Sequence, residues 1–177
     1  MKSRSAKKEH SPKTSPVKFP PTLSTAKEWE RLAKRLAKVI EDLEEDEYLI
    51  ISEKKRNVYV QFAAQGFFGM RVEAAGNEFL GVDVQLPKDA QRTLRSLGWL
   101  SPTYVKTKVR SEPPDGSCNY YIDADTSVPF AVLARVAIQT LQQFYRTRHP
   151  GDLQYKAFGS SGYMIRFPSL GLKRNDK

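Results

Sequence analysis

The sequence predicts an α+β fold in which helices pack on an antiparallel sheet of about four plus two strands. Three observations predict it. Apolar residues recur with helical spacing in three segments, they alternate with a period of two in the stretches between, and short turns containing Gly or Pro separate those stretches. With 177 residues, 40% of them hydrophobic and 28% charged, the chain is long enough to bury a core and too apolar to remain unfolded.

Residues 1–22 stand apart from this pattern. Lys2, Arg4, Lys7, Lys8, Lys13 and Lys18 are opposed there by Glu9 alone, which accounts for more than half of the net charge of +9. Pro12, Pro16, Pro20 and Pro21 interrupt a Ser- and Thr-rich stretch without apolar periodicity, so the segment reads as a disordered basic Pro/Ser-rich arm. Residues 23–168 then read as a single α+β domain and residues 169–177 as a polar C-terminal tail.

Thr25 and Glu28 have the spacing of a capping box and open a helix with Trp29, Leu32, Leu36, Val39, Ile40 and Leu43 on one face. Beyond Lys38 the charge changes sign, through Glu41, Asp42, Glu44, Glu45, Asp46 and Glu47. Acids at a helix C-terminus oppose the macrodipole, so helix stability does not account for them; the run reads first as a solvated helix end, and an acidic patch of this kind also suits a basic client segment or the arm of a neighbouring subunit. The run lacks the Gly turn and alternating ligand spacing of a calcium loop.

From Glu47 onward the period becomes two. Residues 48–52, 57–64, 67–75 and 79–86 read as four strands of a meander, with a tight turn at Gln65-Gly66. Pro87 starts a short helix carrying Ala90, Leu94 and Leu97, which Gly98 ends because glycine alone enters the left-handed conformation without a Cβ penalty. Trp99 is thereby thrown onto the surface beneath, and Pro102 sets the exit. Residues 104–111 alternate Val105, Thr107 and Val109 against Lys106, Lys108 and Arg110, a strand with one basic face. Pro113-Pro114-Asp115-Gly116 is a turn, and residues 119–124 return as its partner strand. The last helix runs from Phe130 to about Arg148 with a wide stripe of Phe130, Leu133, Ala137, Leu141 and Phe144, as packing on a sheet requires. His149 is placed to cap its last turn, and a short extended tail follows.

No group of residues converges for catalysis. Cys118 is the only cysteine, His10 and His149 belong to no motif, and the Asp123/Asp125 pair reads as a helix cap rather than a magnesium site. No catalytic residue, cofactor or metal is therefore expected. A lone cysteine permits no intrachain disulfide, no apolar run is long enough for a bilayer, and the basic N-terminus lacks the apolar segment of a secretory signal; a cytoplasmic protein without membrane contact is the simplest reading.

Two segments carry a family resemblance. Leu97-Gly98-Trp99 with Pro102, followed by a long amphipathic helix and then Pro150, Leu153, Tyr155 and Ala157 in the pattern P-x-x-L-x-Y-x-A, resembles the YbjN and type III secretion chaperone-like superfamily, in its bacterial branch of peptide-binding chaperones. The resemblance covers about residues 24–167. It implies helices around a twisted antiparallel sheet, a non-enzymatic role, a protein or peptide client held on a sheet face or edge, and a homodimer. Classical secretion chaperones are acidic whereas this chain is basic, so acidic clients are expected to fit better than basic ones.

The candidate client-binding residues are Tyr59, Phe67, Phe68, Met70 and Phe79; Phe62, Phe67, Phe68 and Met70 place large apolar groups around the one tight turn at Gln65-Gly66. Strand alternation sends Phe67 and Phe68 to opposite faces, so that one belongs to the core and the other to a contact surface. The competing reading is association with nucleic acid through Lys7 and Lys8 of the arm and the strand face of Lys106, Lys108 and Arg110, driven by counterion release.

Overall fold

The chain runs α1 (Leu23–Glu41), β1 (Glu47–Glu53), β2 (Val58–Ala64), β3 (Met70–Ala74), α2 (Lys88–Ser96), β4 (Tyr120–Ala124), α3 (Phe130–Gln139), β5 (Leu153–Gly159) and β6 (Lys173–Arg174) in a computed structural model that describes residues 23–175 apart from 54. The strands form one open sheet in the order β4-β3-β2-β1-β5-β6. Every pairing is antiparallel except the two-residue contact between β5 and β6. The arm, including Lys7 and Lys8, and the side chain of Thr25 lie outside the described residues.

One core holds the elements together. Leu49 and Ile51 of β1, Val58, Val60 and Phe62 of β2, Val72 of β3 and Leu153, Tyr155 and Ala157 of β5 alternate onto the same face, as the period of two requires. Trp29, Leu32, Leu36, Val39 and Ile40 of α1, Leu133, Ala134, Ala137 and Ile138 of α3, and Leu141 just beyond it join them. The small Ala134 and Ala137 let α3 lie close against α1, its principal helical neighbour.

Several expectations change. Residues 79–86 form successive turns rather than a strand, because the Asn77 side chain brackets the chain: its Nδ2 donates to Leu86 O (2.9 Å) and its Oδ1 accepts from Leu86 N (2.8 Å). Residues 104–111 are likewise no strand. The Lys106 and Thr107 amides donate to the Glu78 carboxylate (2.8 and 3.0 Å), which winds Lys106–Lys108 into a 3-10 turn and removes the basic strand face.

The long helix stops at Gln139 rather than near Arg148. A π turn over Thr140–Phe144 widens it, Tyr145 N bonds back to Thr140 O, and Arg146 takes a left-handed φ of 56°. His149 consequently does not cap that helix; its Nδ1 accepts from Gly151 N (2.8 Å) at the following 3-10 turn, and its Nε2 lies 2.8 Å from Glu28 Oε2. The sixth strand's place is taken by β5, expected only as part of a motif, which pairs along the whole of β1. Past residue 168 the chain continues into the domain. Leu170 is 0% exposed and Lys173–Arg174 pair with β5.

Candidate functional site

The β2–β3 connection is too short for strand alternation. Gln65 N donates to Gly69 O, Phe68 N to Gln65 O and Gly69 N to Gly66 O, closing a 3-10 turn over Gly66–Phe68. Gly66 and Gly69 both have positive φ, 55° and 102°, and a Cβ at Gly69 would run into the Ala124 carbonyl. Within this turn Phe67 and Phe68 cannot go to opposite faces of a sheet. Both rings project into solvent, 89% and 77% exposed, in an edge-to-face pair with centroids 5.9 Å apart.

Beside the pair lies an apolar groove of about 270 Å³. Its walls are Ile40 and Leu43 at the end of α1, Ala64 and Met70 at the β2–β3 turn, and Val128 and Leu133 around the start of α3. Gly66 and Gly69, which flank the phenylalanines, also line it, and Phe130 exposes part of its ring at the far side. Met70 is buried and contributes floor rather than surface. The groove residues come from three distant parts of the chain; of the residues named from sequence only Met70 lines it, and Ile40, Val128, Phe130 and Leu133 were not named. The helical spacing of Ile40, Phe130 and Leu133 marked them as core, which Ile40 and Leu133 are, and nothing local shows that a groove forms where the two helices meet the β2–β3 turn.

The rim is acidic. Glu41, Asp42, Glu44, Glu45 and Asp46 are all exposed, and a Cβ at Gly66 would stand 2.7 Å from Glu45 Cδ, which places that carboxyl against the aromatic turn. The loop is fastened rather than loose. Asp46, left-handed with φ of 62°, donates its amide to Ala64 O (3.0 Å), and the buried Glu47 accepts from Tyr163 Oη (2.8 Å) and from Glu44 N (2.9 Å). Asp125 adds a carboxylate to the groove lining, its backbone close to Gly69. Hydrogen bonds from the Ser127 hydroxyl and amide hold it below the usual carboxylate range, so it stays ionised.

The remaining residues named from sequence lie elsewhere. Tyr59 and Phe79 sit toward the other end of β2: Tyr59 Oη donates to Asn119 Oδ1 (3.0 Å) and burial pushes its hydroxyl up to about 12, while Phe79 is half-buried in a turn. Trp99 is buried, Gly98 has a φ of 98°, and Pro102 is half-buried. Pro150, Leu153 and Tyr155 are buried, with Tyr155 Oη accepting from Phe167 N (3.0 Å). Lys106 and Lys108 share the 3-10 turn, where Lys106 Nζ pairs with Glu112 (3.3 Å), and Arg110 is exposed beyond it.

The sheet face opposite the core is a second surface. Its rows read Phe158-Tyr48-Ala63-Arg71-Asp123 and Lys156-Ile50-Gln61-Glu73-Tyr121. These side chains engage one another: Tyr48 stacks on Phe158 (5.3 Å), Arg71 pairs with Asp123 (2.6 Å) and lies over Tyr121, and Gln61 bonds Glu73. That is the polar outer face of an antiparallel sheet. Both sheet edges carry the chain's own segments, since Leu100 bridges to Tyr121 outside β4, while β6 and Met164 lie along β5.

The family model for the T3SS (YopN, CesT) and YbjN peptide-binding chaperone 3 matches residues 22–159. The chain belongs to this family. Comparison with curated proteins and with solved structures returns no match. Membership carries a chaperone-like, protein-binding role, and the α+β architecture agrees with it. The matched span of this chaperone-family protein contains all of the groove and the acidic rim. Among the described residues no helix is long and apolar enough to cross a membrane.

Proposed function

We propose that this protein is a non-enzymatic chaperone that holds an apolar segment of a protein client in the groove between the α1 end, the β2–β3 turn and the α3 start, with the acidic rim reading basic residues that flank the segment. One observation carries this reading: Phe67 and Phe68 stand exposed as an edge-to-face pair in the turn whose flanking glycines, Gly66 and Gly69, line an apolar groove. Contiguous exposed aromatics beside a concavity are the mark of a contact surface rather than of a solvated turn. The outer sheet face is covered by its own polar pairs and the edges by the chain's own segments, which leaves the groove as the better docking place.

Local charge decides the client's sign. Net charge argues for acidic clients, but exposed charges beyond about 10 Å are screened in physiological salt, so a client in the groove meets the five acids of residues 41–46 and Asp125. A fluorescent peptide alternating Leu or Phe with Lys tests this on the full chain, against its counterpart with Glu in place of Lys. The cationic peptide should bind at least about tenfold tighter, and Phe67→Ser and Phe68→Ser should each weaken it by a similar factor. Preference for the anionic peptide, or serine variants that bind like the parent, overturns the proposal.

A further inference from the structure

We propose that residues 1–22 of the same chain are the resident occupant of the acidic rim, so that a client must displace the chain's own basic arm to enter the groove. The inference rests on the groove being the client site, and three observations support it.

The first is reach. The arm joins the start of α1 and the groove opens at its end, a helix of 19 residues or about 27 Å at 1.5 Å per residue. An extended chain covers about 3.3 Å per residue, so roughly eight residues of the arm bridge that distance. Those N-terminal to about position 14 can then lie at the rim. The second is charge. That part of the arm contains Lys2, Arg4, Lys7, Lys8 and Lys13 with Glu9 as the sole acid, whereas the segment around the groove residue Leu43 carries the exposed Glu41, Asp42, Glu44, Glu45 and Asp46, with Glu45 against Gly66, and Asp125 lines the groove itself. Lys38 is the cation of the α1 last turn. A tether of this length gives a local concentration in the millimolar range, so even weak ion pairing populates the docked form.

The third is composition. The part of the arm that reaches the rim offers only small or slender apolar groups, whereas Phe19 is too close to the helix start to cross its length. The arm therefore satisfies the carboxylates and leaves the apolar floor unfilled. A client with both an apolar segment and basic flanks has a contact that the arm lacks, and this difference sets which segments displace it.

The test compares amide spectra of the labelled full chain with those of the full chain carrying K2Q, R4Q, K7Q and K8Q. Differences should concentrate at residues 41–46, 64–70 and 125–128, persist unchanged on tenfold dilution, and vanish in about 0.5 M salt, where screening extends only a few ångströms. The glutamine variant should also bind the cationic Leu/Phe/Lys peptide several-fold tighter. Identical groove amides in the two proteins would overturn the inference, as would differences lost on dilution, which place the arm of a second copy there instead. The two proposals separate cleanly. Binding of the peptide with no effect of the arm substitutions sinks the arm alone, and groove shifts without any peptide binding sink the client reading alone.

Discussion

Trp99 shows how much one side chain can hold. It is 1% exposed, follows the left-handed Gly98 and carries an indole Nε1 that is buried without a hydrogen-bond partner. Its stabilisation is thus packing rather than polar. Trp99→Ala should cost about 3 kcal/mol or more in denaturant unfolding, and Trp99→Phe distinctly less, because the smaller ring leaves no unpaired donor. Tyr145 is the contrasting case, since its hydroxyl donates to the buried Ala75 carbonyl (2.7 Å). Tyr145→Phe removes that bond at a cost of about 1–2 kcal/mol, readable in the same experiment. Glu53 adds a pH dependence. The Arg56 guanidinium bonded to it (2.8 Å) holds its carboxyl below the usual range, so its stabilisation is complete above the unfolded carboxylate value and fades as pH falls through the lowered folded one. Melting temperature of the parent should fall more steeply than that of Glu53→Gln between roughly pH 5 and 3.

At the scale of elements, the β2–β3 turn separates stability from binding. Since Phe67 and Phe68 both face solvent, each serine variant should fold with stability within about 0.5 kcal/mol of the parent, where strand alternation would have had one of them unfold the domain. Calorimetry of the two variants decides between these outcomes. Gly69→Ala should behave in the opposite way: a side chain at φ of 102° meeting the Ala124 carbonyl forces the turn to move, which lowers the melting temperature and shifts the aromatic pair away from the groove. The π turn at the end of α3 has a comparable role in directing the chain, because it and Arg146 turn the backbone toward β5.

For the whole molecule the C-terminal segment completes the sheet. Leu170 packs beneath α1, β6 lies along β5, and Met164 bridges to Phe158, so an edge that would otherwise invite pairing with another chain is covered. Leu170→Ala should cost about 2–4 kcal/mol and increase concentration-dependent association, measured by unfolding and by light scattering. Charge is also distributed at this scale. The net +9 describes the chain far from its surface, whereas the groove sees carboxylates, so binding of a basic client should weaken steeply with salt even though client and protein carry charge of the same net sign.

Helix and strand periodicity, the glycine stop at Gly98 and the order of the two motif segments were enough to read the α+β class, α1, β1, β2, α2, β4 and the chaperone family, because each depends on contacts made within a few residues or on a pattern preserved along the chain. Alternation alone was misleading at residues 79–86 and 104–111, where Asn77 and Glu78 capture backbone amides and override strand propensity. β5 was obscured because its partners lie a hundred residues earlier, in β1. The groove depended on tertiary structure entirely. Ile40, Met70 and Leu133 are core, as any window of sequence suggests, and only the way α1, α3 and the β2–β3 turn meet sets a groove against that end of the core, next to the turn of two exposed phenylalanines and a row of acids.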